Sequence, residues 1–131
     1  MSSTINRFED LHAWQFSRNL TREIYAVTQE GRFAKDFGLR DQIQRAAVSI
    51  MSNIAEGHER IGPAEFHRFL SIAKGSCAEV RSLLYVASDI NYLTELKFGE
   101  LLSETERVGR VVEGLRAAMA RRISEKRGYQ S

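Results

Sequence analysis

Residues Gln42 to Gly57 read QIQRAAVSIMSNIAEG, and beyond a Gly-Pro break Glu65 to Leu84 read EFHRFLSIAKGSCAEVRSLL. Wound as a helix, the first stretch extends a stripe of Leu39, Ile43, Ala46, Ala47, Ile50 and Ile54, with Gln42, Arg45, Ser49, Asn53 and Glu56 as a polar stripe beside it. The second aligns Phe66, Leu70, Ala73, Cys77, Val80 and Leu84. Two amphipathic segments separated by so short a break predict a helical hairpin.

The same periodicity extends outward in both directions. A first helix is expected from about Glu9 to Thr28, with Phe16, Leu20, Ile24 and Val27 on one face and Leu11, Trp14 and Tyr25 on a neighbouring one. The hairpin helices run from about 38 to 59 and from about 63 to 91, with Pro63 suited to a first helical position because the N–H it lacks has no intrahelical acceptor. Thr94 is a plausible N-cap for a fourth helix over about 95–124, whose core stripe is Leu101, Thr105, Val108, Val112, Leu115 and Met119. Gly99, Gly109 and Gly114 each cost that helix about 1 kcal/mol relative to Ala, so it depends on tertiary packing. Four helices with short connections and no strand-like alternation predict an all-α, up-down-up-down four-helix bundle.

Composition narrows the class. A chain of 131 residues suffices for one domain, and folding should remove roughly two-thirds of its unfolded surface from water. With 43% hydrophobic and 27% charged residues the balance is that of a globular protein, and no window approaches a membrane span. The N-terminal MSSTINRFEDLHAWQF has no continuous apolar core and does not read as a signal peptide, so a cytoplasmic location is expected. Cys77 is the only cysteine, which excludes an internal disulfide and multi-cysteine metal sites and leaves it as a small core residue.

The second helix is apolar over about 200°, because Val48, Met51 and Ala55 widen the stripe, whereas an outer bundle helix needs only about 100°. Self-association is the natural explanation; the alternative is that two neighbouring helices of the same chain cover the arc. Polar groups beside such a surface must find partners when buried. Gln42, Arg45, Ser49, Asn53 and Glu56 are therefore read as a helix or subunit interface, with Ser76 and Glu79 of the next helix as partners, in preference to a ligand site.

Taken with Phe8-x-x-Leu11-x-x-Trp14, these segments resemble the four-helix-bundle family of the 23S rRNA intervening-sequence proteins. The most specific parts are Gln42, Arg45-Ala46-Ala47-x-Ser49-Ile50, Ser52-Asn53-Ile54-Ala55-Glu56-Gly57 and Glu65-Phe66-x-x-Phe69-Leu70-x-Ile72-Ala73-x-Gly75-Ser76-x-x-Glu79, while Met51 stands where many members have proline. The resemblance implies a small bacterial cytosolic protein assembled as a ring-like homopentamer. It further implies kinship with an accessory protein of diversity-generating retroelements that binds nucleic acid and a reverse transcriptase.

Catalytic chemistry finds little footing. A di-iron bundle needs two Glu-x-x-His motifs and two further Glu, and only Glu9-x-x-His12 has that spacing. No serine has a histidine at suitable spacing and the glycines form no phosphate loop, so neither enzyme activity, metal nor cofactor is expected.

Charge is the more informative feature. The net +2 conceals a segregation: residues 107–131 carry seven Lys or Arg against two Glu, while residues 1–106 carry twelve against fifteen acidic. Arg107, Arg110 and Arg121 fall within about 60° of the fourth helix, and Arg122, Lys126 and Arg127 follow. Repeated around an oligomer, such a segment suits sequence-independent binding of RNA or DNA phosphates, although no aromatic platform interleaves the arginines. The alternative is a structural or protein-partner scaffold without nucleic-acid contact.

Overall fold

The computed structural model describes residues 7–130, and every regular element within them is helical. A 3-10 turn at Phe8–Asp10 precedes α1 (His12–Val27), α2 (Gly31–Lys35), α3 (Phe37–Glu59), α4 (Pro63–Asp89) and α5 (Glu95–Gln130). The long helices α1, α3, α4 and α5 each pack on two of the others, in the cyclic order α1, α3, α4, α5. Cross-helix pairs establish their directions. Gln42 meets Glu79 and Ser49 meets Ser76 between α3 and α4, while Ser71 meets Arg116 and Lys74 meets Glu113 between α4 and α5. In both seams one number rises as the other falls, so the neighbours are antiparallel.

The core lies where the predicted stripes converge. Leu20 and Ile24, Ile43, Ile50 and Ile54, Leu70, Val80 and Leu84, and Leu101, Val108 and Val112 are all fully buried. Their removal from water supplies the main drive for folding, at roughly 1.5–3 kcal/mol for each large side chain. The buried hydroxyls of Thr28 and Thr105 donate to the carbonyls of Ile24 and Leu101 one turn back, and Thr28 Oγ1 also accepts from Gln44 Nε2 of α3 at 2.9 Å.

Helix boundaries follow local chemistry. Gly62 adopts φ +89°, a conformation that favours glycine, and turns the chain so that Pro63 can start α4. At the far end of α4, Asn91 takes φ 62° while the Tyr92 N–H donates to the Ala87 carbonyl at 2.9 Å, a left-handed C-terminal cap with Asn in glycine's usual place. Thr94 caps α5 as expected, its Oγ1 accepting from the Lys97 N–H at 3.1 Å. Helix α3 continues without interruption through Met51.

Three expectations need correction. The first helix does not run unbroken from Glu9: Leu11 is extended (φ −73°, ψ 128°) and separates the 3-10 turn from α1. The turn is folded back by Phe8, whose ring meets Trp14 edge-on at 5.2 Å. Second, the segment between the first two predicted helices forms α2. Five residues cannot hold a helix alone; Phe33, 1% exposed, inserts beside Tyr92 and anchors it over one end of the bundle. Third, α5 passes the expected end near 124 and reaches Gln130, since Glu125, Lys126 and Arg127 are good helix formers.

Candidate nucleic-acid interface

The basic residues of α5 divide into three groups because of how that helix packs. Helix α5 lies between α1 and α4, so side chains on its two flanks turn toward different neighbours. Arg107 goes to α1, where its guanidinium sits 3.8 Å from the centre of the Phe16 ring and 3.7 Å from the Glu104 carboxylate. Arg110, close to it on the helical wheel, lines a groove on the α4 side. Arg121, Arg122, Lys126 and Arg127 follow Met119, the last buried residue among those whose side chains are described, and are all exposed. Among the described residues none of these four is in an ion pair.

The groove between α4 and α5 has a volume of about 700 Å³. Lys74 and Arg81 stand on its α4 wall, Arg110 and Arg116 on its α5 wall, with Glu106 and Glu113 as its carboxylates. Glu113 is engaged twice, accepting from Lys74 Nζ at 2.7 Å and from Arg116 at 3.1 Å, and the Lys74 hydrogen bond in particular holds its carboxyl below the ordinary carboxylate range. Arg116 also donates to Ser71 Oγ at 2.9 Å. Arg81 and Arg110 have no such engagement among the described residues. Cys77 lies beneath, 3% exposed, and burial pushes its thiol up to about 12 against the opposing pull of Arg81 and Lys74.

Lys74, Arg81 and Arg116 were not among the residues singled out from the sequence. The signal available was the spacing of Lys74 and Arg81, seven apart and so on one face. Nothing local, however, paired that face with Arg110 and Arg116.

The polar stripe of α3 also divides. Ser49 Oγ and Ser76 Oγ are 2.8 Å apart, Asn53 Nδ2 donates to the Ser49 carbonyl at 2.8 Å and to Ser49 Oγ at 3.1 Å, and Gln42 Nε2 donates to Glu79 at 3.4 Å. The Ser49–Ser76 and Gln42–Glu79 bonds cross the α3–α4 seam of one chain, while those of Asn53 stay within α3. Arg45 is exposed, and Glu56 accepts from Arg60 at 2.9 Å on the surface. Of the side chains that broaden the apolar arc, Met51 and Ala55 are half-buried and Val48 is 37% exposed. Neighbouring helices thus cover part of that arc and leave part to solvent.

Among the described residues no group of three or more His, Cys, Asp or Glu is placed to hold a metal ion, and no helix is long and apolar enough to cross a membrane. Glu9 of the solitary Glu-x-x-His spacing instead pairs with Arg7 at 3.0 Å.

Residues 9–114 match the family described as 23S rRNA-intervening sequence protein. A solved structure from Bacteroides thetaiotaomicron, described as a protein with unknown function from the S23 ribosomal protein family, superposes with a TM-score of 0.73 at 20% identity. The match covers 79% of this chain and 97% of that one, and at this identity it shows the fold alone. No curated protein matches the chain.

Proposed function

Because this chain belongs to the family of 23S rRNA-intervening sequence proteins and carries cations that its own fold does not use, we propose that it is a non-enzymatic, homo-oligomeric, nucleic-acid-binding adaptor. The observation that carries this reading is the end of α5. Past Met119 the helix buries no residue among those whose side chains are described, yet it continues to Gln130 and presents Arg121, Arg122, Lys126 and Arg127 with only Glu125 among them. Only Ile123 there is half-buried, so this end of the helix gains little from burial, and clustered cations on it form a footprint for phosphates. Self-association would repeat that footprint, and five chains is the number the family resemblance implies.

Support for self-association comes from aliphatic side chains left in solvent on α3 and α4. Val48 is 37% exposed, Ile72 and Val86, both 43% exposed, lie within about 40° of one another on α4, and Ile90 at its C-cap is 40% exposed. The same surface favours the second reading, a scaffold for protein partners such as a reverse transcriptase, with no nucleic-acid contact.

Fluorescence anisotropy with labelled single- and double-stranded RNA and DNA across a salt series separates the two. The adaptor reading expects binding that weakens steeply with salt and varies little with sequence, and a shallower salt slope when Arg121, Arg122, Lys126 and Arg127 are all changed to Gln. Absence of binding to every probe at low salt refutes it and favours the scaffold. Sedimentation equilibrium tests assembly separately: a monomer at micromolar concentration refutes the oligomer.

A further inference from the structure

Beyond the exposed end of α5, one surface combines cations, open space and an aromatic ring. On α4, Lys74, Arg81 and Tyr85 recur at intervals of seven and four residues, within about 40° of one helical face. Lys74 and Arg81 line the α4–α5 groove; Tyr85, one turn beyond Arg81, is 50% exposed and stands edge-on to Phe98 of α5 with ring centres 5.1 Å apart. The ring is not part of the groove's lining but lies one turn beyond its Arg81 end on the same face of α4, which prolongs the track along the α4–α5 seam. From Ser71 to Tyr85 it extends roughly 20 Å along α4, at about 1.5 Å per residue.

The interior of the track is shaped by missing side chains. Gly75 and Gly109 line the groove, and a Cβ built on either meets nothing within 4 Å. Both glycines carry the helix-propensity cost noted for α5, and neither is required by close helix packing here. Their common effect is to keep the groove open. Electrostatically, two of its four cations are occupied by Glu113, while Arg81 and Arg110, one on each wall, face a single further carboxylate, Glu106, so the groove keeps a positive balance that attracts an anion.

We propose that this groove is the seat of single-stranded nucleic acid, with Arg81 and Arg110 holding backbone phosphates and Tyr85 providing a platform on which one base stacks. The proposal rests on the adaptor reading and deepens it by naming the strand class and the site. A basic groove ending in an aromatic platform is the recurrent solution for sequence-tolerant single-strand binding, because every base offers a π-face and every nucleotide a phosphate. At about 700 Å³ the groove is too small to enclose a double helix. The four exposed cations at the end of α5 then add long-range attraction without choosing between strand forms.

The test measures anisotropy with labelled oligo(dT), oligo(rU) and a duplex of equal length at low salt. The wild-type protein is expected to bind both single strands more tightly than the duplex. Gly75→Leu with Gly109→Leu fills the groove without changing charge, and should weaken single-strand binding about tenfold or more while helix content and assembly mass stay unchanged. Tyr85→Ala should weaken it roughly five- to 150-fold, the range for loss of one stacked base, and Tyr85→Phe should restore most of it. Arg81→Gln with Arg110→Gln should flatten the salt slope by about two phosphates.

Wild-type affinity in both the Leu and Tyr85→Ala variants overturns the groove; if Arg121→Gln with Arg122→Gln then abolishes binding, the adaptor reading survives on the end of α5. An altered assembly mass in the Leu variant also overturns it, because the groove is then a contact between copies. Should the Leu variant fail to fold, the surface changes at Tyr85 and Arg81 decide the matter alone. Failure of the wild-type protein to bind any strand removes the adaptor reading, and the groove with it.

Discussion

Replacing Gly57 by alanine is expected to destabilise the protein, although the substitution improves helix propensity. Gly57 is buried near the C-terminal end of α3, where the hairpin brings α3 and α4 together. A Cβ added there would lie 2.6 Å from Phe69 Cβ, 3.0 Å from Phe66 Cδ1 and 3.4 Å from Phe69 Cγ. The first of these atoms is attached directly to the α4 backbone, so no rotamer change relieves the contact and the helices themselves must separate. Overpacking of this kind costs typically about 1–3 kcal/mol, against about 1 kcal/mol gained from replacing glycine inside a helix. A 2.6 Å approach to an atom fixed to the backbone belongs in the upper part of that range, about 2–3 kcal/mol, so the net loss is about 1–2 kcal/mol. Gly75→Ala provides the control, since it has the same propensity gain and no neighbour within 4 Å; it should stabilise by up to about 1 kcal/mol. Thermal unfolding followed by circular dichroism, at one fixed protein concentration because assembly would shift the midpoint, should separate the two variants by several degrees or more. A Gly57→Ala protein as stable as wild type would refute the close-approach argument.

Asp36→Ala should cost about 1 kcal/mol in urea titrations, because Asp36 Oδ1 accepts from the Leu39 N–H at 3.2 Å as the N-cap of α3. The same carboxylate accepts from the Tyr92 hydroxyl at 2.9 Å, a bond that raises the phenol's pKa above its ordinary 10. The group is raised on folding, so its contribution is present below pH 10 and lost as pH rises through the folded value; Tyr92→Phe should remove that alkaline loss of stability, and an unchanged pH profile would refute it. Cys77, with its thiol pushed up to about 12, should resist alkylation in the native protein at pH 8 and react rapidly only in denaturant; prompt native labelling would contradict its burial. Arg107→Gln should lower stability by about 0.5–1 kcal/mol through loss of its stacking on Phe16, yet leave nucleic-acid affinity nearly unchanged, which anisotropy measures directly.

The sequence alone determined the four long helices, their buried stripes and the family, because helical periodicity is local. Each residue adds about 100° of rotation, so Ile43, Ile50 and Ile54 must share a face whatever lies opposite. Turn chemistry was equally local, as Gly62-Pro63 and the Thr94 cap illustrate. The short α2 escaped because five residues have no measurable period, and only Phe33 entering the bundle end holds them helical. Which neighbours fill the two flanks of a helix was decided by tertiary structure. Arg107 and Arg110 are close on the wheel, but packing of α5 between α1 and α4 sends one onto Phe16 and the other into a groove. The aromatic missing from the arginine-rich segment is Tyr85, on another helix. Its proximity to Arg81 was local and legible, but its place beside Phe98, further along the seam that holds Arg110, depended on two antiparallel helices burying their apolar faces against each other. Hydrophobic burial sets that registry, and the surface groups are brought together as its consequence.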